Sequence, residues 1–316
     1  MVWLTLKLVN DYPGKTLVEI NHEILGPVWG KIFSAMYLWY FFHLGAIVLT
    51  DFGDFISTIM PLTPISVFLL IMTALVAYLV RNGIEVIARY SMIIVFFSYV
   101  LFVLVFILSS NNLVLANLLP INSISGQDFL KASYEVTIFP FGEIIVFTMI
   151  IKYVDHHQKA NRSVIKALIL TCIFGTLYNM YVIMGLGNYL EIPVYPGYAV
   201  TRQIDIVGII TRIDVTAATT DLALGVLKTS VMLYAVVLGI SQIFKLSTYK
   251  PLVLPVGILM FLLSLIQFNS SIENFLFHER TYLYYAAFFQ AFLPAVTLFI
   301  DGLKNFSAGK RGNAAA

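Results

Sequence analysis

The sequence predicts an all-α, polytopic membrane protein, and three observations carry that reading. Hydrophobic residues make up 59% of the 316 positions and charged residues 11%, where an ordinary soluble domain carries roughly 25% charged residues. With a mean hydropathy of +0.89, the chain has too few polar side chains to cover a water-facing surface. Apolar runs about 20 residues long, the length a helix needs to cross the hydrocarbon of a bilayer, recur from end to end. Lysine and arginine, finally, collect on alternate connections between those runs. The formal net charge of +2 says little about partners.

Residues 1–9, "MVWLTLKLV", are apolar but too short for a span or a signal peptide, and no small-residue cleavage site follows. They read as the tail of a helix. Complete spans are expected near 29–50, 63–81, 90–109, 129–153, 164–188, 217–244, 251–268 and 281–302. The connections carry turn chemistry: "NDYPGK" at 10–15, "PLTP" at 61–64, "RNG" at 81–83 and "EIPVYPG" at 191–197. In residues 189–216, the stretch "VTRQIDIVGIITRIDV" repeats apolar residues every third or fourth position, as a short amphipathic helix lying on the outer surface would.

Taking alternate sides from the 10–28 loop, one side collects fourteen basic residues, among them Lys15, Arg81, Lys152, Lys245 and Lys304. The other collects four, Lys131, Arg202, Arg212 and Arg280, and Lys228 falls inside a span. By the positive-inside rule the 10–28 loop and the C-terminus are expected in the cytoplasm.

One span is interrupted. In "TIFPFGEIIVFTMI", residues 137–150, Pro140, Gly142 and Glu143 stand at mid-membrane depth. Pro140 removes an N–H and clashes with the preceding turn, and Gly142 lets the chain re-aim. Interrupted backbone in lipid is tolerated only where it is buried in protein or lines a cavity, and discontinuous helices of this kind bind substrate and ions in secondary transporters. A simple proline kink is the other reading. Glu143 either accepts a ligand ammonium, pairs with a protein cation, or merely suits the N-terminus of the second half-helix. Lys228 lies a third to half of the way along its span, where a charge must face the bundle interior and be paired or hydrated.

Asp221, seven residues earlier and about 10 Å along the same stripe, is too far to pair with Lys228 and suits a solvated vestibule. His43, mid-span, reads as a core histidine, and His156 and His157 as solvated loop residues. Cys172 is the single cysteine, so no disulfide framework or thiolate metal site exists. HExxH, GxGD and GxSxG patterns are absent, and neither an enzyme, a metal, a cofactor nor a nucleic-acid partner is expected.

"FPFGE" at 139–143, preceded by "NLLP" at 117–120, resembles the B-subunit family of GerA-type spore germinant receptors. "YPGKTLVEI" at 12–20, "DFGDFI" at 51–56, "RNGIEVIARY" at 81–90, "RID" at 212–214, "KTSVMLYAVVLGISQIF" at 228–244 and "YKPLVLPVG" at 249–257 follow in that family's order. The resemblance covers about residues 10–303 and extends to the amino acid–polyamine–organocation transporter superfamily.

It implies one transmembrane domain with a LeuT-type inverted-repeat helical bundle. Residues 1–110 would be the remnant of a first repeat, lacking its broken helix and half of the next, and 129–303 a complete second repeat. It implies a germinant-sensing integral subunit of the spore inner membrane, or alternatively a secondary transporter of amino acids coupled to protons or sodium. The implied partners are a small nutrient such as an amino acid, an A-subunit membrane protein, a C-subunit lipoprotein and the lipid bilayer. Phe139, Pro140, Phe141 and Gly142 would form an unwound segment whose backbone grips the ligand between two phenyl rings. Tyr40 would be a gate or wall. Lys228, beside Thr229 and Ser230, would either replace the cation of sodium-coupled relatives or pair with Glu143.

Overall fold

The computed structural model describes residues 1–120, 124–154, 157–204 and 213–314. His156 and half of the expected surface helix, residues 205–212, lie outside that set, as does the side chain of His157. Among the described residues every regular element is helical. In chain order they are α1 (Val2–Asp11), α2 (Leu17–Ile59), α3 (Ile65–Asn82), α4 (Ile84–Leu108), α5 (Gly126–Ile138), α6 (His157–Leu186), α7 (Pro196–Thr201), α8 (Ile213–Ile243), α9 (Val253–Ile266), α10 (Ser271–Phe277), α11 (Leu283–Ala287) and α12 (Leu293–Ala314).

Among the described residues, six helical stretches are long and apolar enough to cross a membrane: 17–59, 65–82, 84–108, 161–189, 213–243 and 271–306. Two of the eight expected spans take another form. The 129–153 region is broken, and α9 is a shorter apolar helix.

The 10–28 region, expected as a loop, is largely helical. Thr16 and Glu19 form a reciprocal capping box that starts α2. The helix then bends at Gly26 (φ 81°, ψ −176°) ahead of Pro27, a conformation that favours glycine. The arm before the bend folds close to the helix after it: a Cβ at Gly30 would lie 2.6 Å from Asn21 O. Between α3 and α4, Gly83 at φ 101° reverses the chain directly.

α10, α11 and α12 form one continuous helix through π-helical turns at His278–Tyr282 and Phe288–Phe292. α8 is the centre of the bundle and packs against α2, α3 and α4. Its run Met232–Leu238 is buried without interruption, as expected of a helix surrounded by protein rather than lipid. α4 is the opposite case, apolar throughout yet burying only Ile87, Leu101 and Val105. A second, smaller core joins α4 to α6 and α7 through Leu101, Val105, Tyr181 and Val200.

The lysine-rich connections meet at one end. Lys152 approaches Glu19 at 3.5 Å, Thr16 donates to Gln242 at 2.9 Å, and Lys304 donates to the Ile24 carbonyl at 2.5 Å. Burial and the adjacent Asp301 carboxylate push the Tyr12 phenol, between α1 and α2, well above its ordinary pKa. At the opposite end, α2 and α10 are pinned by polar side chains. Asn274 donates to Asp51 (2.9 Å) and Asp54 (3.1 Å), and His278 Nε2 lies 3.0 Å from Asp51.

Candidate functional site

Ser125 caps α5 by accepting from Asp128 N at 3.1 Å, and the helix runs to Ile138. Phe139 N still donates to Glu135 O at 2.9 Å, the last α-type bond. Pro140 has no N–H to continue the ladder. The next backbone bond is Glu143 N to Pro140 O at 3.3 Å, spanning three residues instead of four. Phe141–Met149 then runs as a 3₁₀ helix. The expected second half is therefore a tighter coil than an α-helix. This geometry is sterically poorer and is usually found in short pieces.

Because the segment coils tightly there, Glu143 turns inward and is 7% exposed. Its Oε2 lies 2.7 Å from Lys228 Nζ of α8, and its Oε1 accepts from the Tyr282 hydroxyl at 2.8 Å. The Lys228 ammonium also stands 4.9 Å from the centroid of Phe139, an attractive arrangement of cation over ring. Of the roles left open by sequence for Glu143 and Lys228, the geometry realises mutual pairing. Desolvation of the two charges is offset by their attraction and by the tyrosine hydrogen bond.

Tyr40 is fully buried, and its ring stacks on Phe289 at 4.7 Å and 8°. Its oxygen accepts from Gln290 Nε2 at 2.7 Å and neighbours the Tyr282 hydroxyl. Gly142 is buried against the end of Gln290, where an added Cβ would come within 2.6 Å of Cδ. Phe139 is 45% exposed, Pro140 is exposed and Phe141 is half-buried. Thr229 and Ser230 are buried, and their hydroxyls donate to Gly225 O (2.9 Å) and Val226 O (2.7 Å) of their own helix.

His43 Nδ1 lies 3.0 Å from the Tyr285 hydroxyl, a satisfied interior histidine, and Asp221 is exposed. A cavity of about 480 Å³, lined in part by Glu19, His22, Lys31, Ser34 and Gln242, lies toward the lysine-rich end rather than at the break. Among the described residues no group of three or more His, Cys, Asp or Glu is arranged to hold a metal ion.

The structure thus gathers Tyr40, Phe139, Gly142, Glu143 and Lys228, and adds two residues that sequence reasoning missed. Tyr282 and Gln290 both lie on the π-helical turns, and both reach the break. Gln290 was detectable as an uncharged polar residue in the middle of the span 281–302.

Over residues 1–272 the chain matches the spore permease family, described as spore germination protein. It is similar to spore germination protein KB of Bacillus subtilis (strain 168), 28% identical over 263 residues, covering 80% of this chain and 69% of that protein. It is also similar to spore germination protein YndE of the same strain, 24% identical over 262 residues with the same two coverages. The matched region takes in the break and its two charged partners, and the chain is a multi-pass membrane protein belonging to the spore germination permease family.

Proposed function

We propose that this protein is the germinant-sensing membrane subunit of a spore nutrient receptor, and that a small nutrient binds at the break between α5 and the 3₁₀ segment. The Glu143–Lys228 pair carries this reading, because it stands at the interruption, its carboxylate buried and its ammonium half-buried, and is charge-balanced. A net-neutral solute with both charges, such as an amino acid, can exchange with such a pair: its ammonium toward Glu143, its carboxylate toward Lys228. A net anion that drew Lys228 away would leave the buried Glu143 carboxylate uncompensated, at a cost of several kcal/mol.

The bundle is read as an inverted-repeat fold of LeuT type, with 129–303 as its second repeat and α5 plus the 3₁₀ segment as the broken helix. Phe139 and Phe141 would be apolar walls, and backbone groups from Phe139 to Gly142 would meet the ligand's polar ends. Tyr40 would be the wall on α2, and Thr229 would lie behind Lys228. Ligand exchange at the pair would favour one arrangement of the bundle over another, a population shift. That shift would pass to an A-subunit membrane protein and a C-subunit lipoprotein in the spore inner membrane, with the C-terminus on the cytoplasmic side.

Calorimetric titration of the protein in lipid nanodiscs with a panel of the common L-amino acids tests the reading. Micromolar to millimolar binding that Glu143→Gln weakens is expected. No binding by any member of the panel overturns it. Uptake of the same radiolabelled amino acids into proteoliposomes separates the sensor from a transporter, since accumulation driven by an ion gradient contradicts a pure sensor.

A further inference from the structure

The side chain of Gln290 is fully buried on the π-helical turn Phe288–Phe292. One of its amide atoms is accounted for, as Nε2 donates to Tyr40 at 2.7 Å. Glu143 is a carboxylate and only accepts, so the Tyr282 hydroxyl donates to it. At Tyr40 the phenol oxygen takes the amide N–H of Gln290. With its N–H turned to Tyr40, the amide presents its oxygen on the other side. That oxygen, Oε1, is buried with no hydrogen-bond partner and sits against Gly142, where any Cβ would overlap it. Buried acceptors are rarely left unmet in native proteins, and each one asks for an explanation.

We infer that Gln290 Oε1 is the acceptor for an N–H donor of the ligand, and that the site therefore selects a solute bearing a primary ammonium. The inference rests on the ligand site proposed above and narrows it. With no solute bound, the amide oxygen fills the notch over Gly142. With an amino acid bound, the oxygen turns from Gly142 to the ammonium, while Nε2 keeps its hold on Tyr40. Nothing except glycine at 142 leaves room for that oxygen. The unpartnered acceptor is thus matched to a gap in the backbone cover, and π-helical turns are frequent at functional sites.

The test is a thermodynamic cycle in lipid nanodiscs. The probes are L-alanine and glycine, each beside its des-amino analogue, propionate or acetate, together with the rest of the amino-acid panel. The wild type is expected to prefer an amino acid over its des-amino analogue by roughly tenfold or more, the range for a hydrogen bond to a charged group. Gln290→Leu should lower that preference about tenfold, weakening the amino acid by that factor and leaving the analogue within about twofold, while the share due to Glu143 remains. The thermal midpoint of Gln290→Leu without ligand should be equal to or above that of the wild type, since a buried unmet acceptor has gone.

If Gln290→Leu binds the amino acid as the wild type does while Glu143→Gln does not, the site stands and the role of Gln290 is overturned. If the wild type binds no amino acid, both readings fall together. If Gln290→Leu and the closer-shaped Gln290→Met both fail to fold, Gln290 is structural and the inference is overturned.

Discussion

Two of the places where this chain sets a proline beside or near a glycine, Gly26–Pro27 in α2 and Pro140–Gly142 after α5, come to different ends. At the first, helix continues on both sides and the chain merely turns. Beside the bend the Ile24 carbonyl accepts from the Lys304 ammonium at 2.5 Å, and the arms pack closely at Gly30. At the second, α-helix stops and a 3₁₀ coil follows. It brings its own carboxylate, Glu143, to an ammonium from α8 and an amide from the π-helical turn Phe288–Phe292. A breaker therefore makes a joint where a nearby cation meets the backbone beside it, and a binding surface where facing side chains keep capacity to spare.

The contrast is broken most severely at the ion pair. Lys228→Met leaves Glu143 buried without its cation and should destabilise the protein by about 3–5 kcal/mol. The shift should appear as a lower thermal midpoint in nanodiscs, and pairing the change with Glu143→Gln should recover much of it. An unchanged midpoint and unchanged ligand response in Lys228→Met would remove both the structural and the ligand role of the pair. Next is the joint itself. Gly30→Ala puts a methyl group against backbone atoms that cannot give way, and should cost about 1–3 kcal/mol, read by the same melt.

Lys304→Met should cost roughly 1–2 kcal/mol by leaving the Ile24 carbonyl unmet. Hydrogen exchange would sharpen the comparison here, because protection should fall across residues 17–25 and stay unchanged across 137–149. The smallest effect is expected at the start of the arm, where Thr16→Ala removes a capping box worth about 1 kcal/mol. If that loss also altered ligand binding at the break, the two sites would be coupled rather than independent.

Much of this was legible in advance, for physical reasons that also mark where legibility ended. Hydrophobic runs reported the bundle because lipid demands them, and Pro140 with Gly142 and Glu143 reported the break because lipid forbids them. The helical arm before Gly26 was hidden, since reading apolar runs starts the span after a Gly-Pro pair. The Thr16–Glu19 capping box was the available clue. The 3₁₀ form of 141–149 was hidden too, because hydropathy does not distinguish four-residue from three-residue hydrogen bonding. Pairing of Glu143 with Lys228 stood among the open readings, and contact between distant helices decided it. Tyr282 and Gln290 could not be placed at the site by periodicity, because each π-helical turn shifts the stripe by which faces are counted.

Those turns have a mechanical consequence. Each holds one residue more than the α path needs. Relaxing the first to α-geometry would swivel everything beyond it by about 100° and advance it about 1.5 Å. The anchor of His278 on Asp51 lies at the start of that turn, so it could stay fixed while the amide of Gln290 swept off Gly142 like the arm of a ratchet.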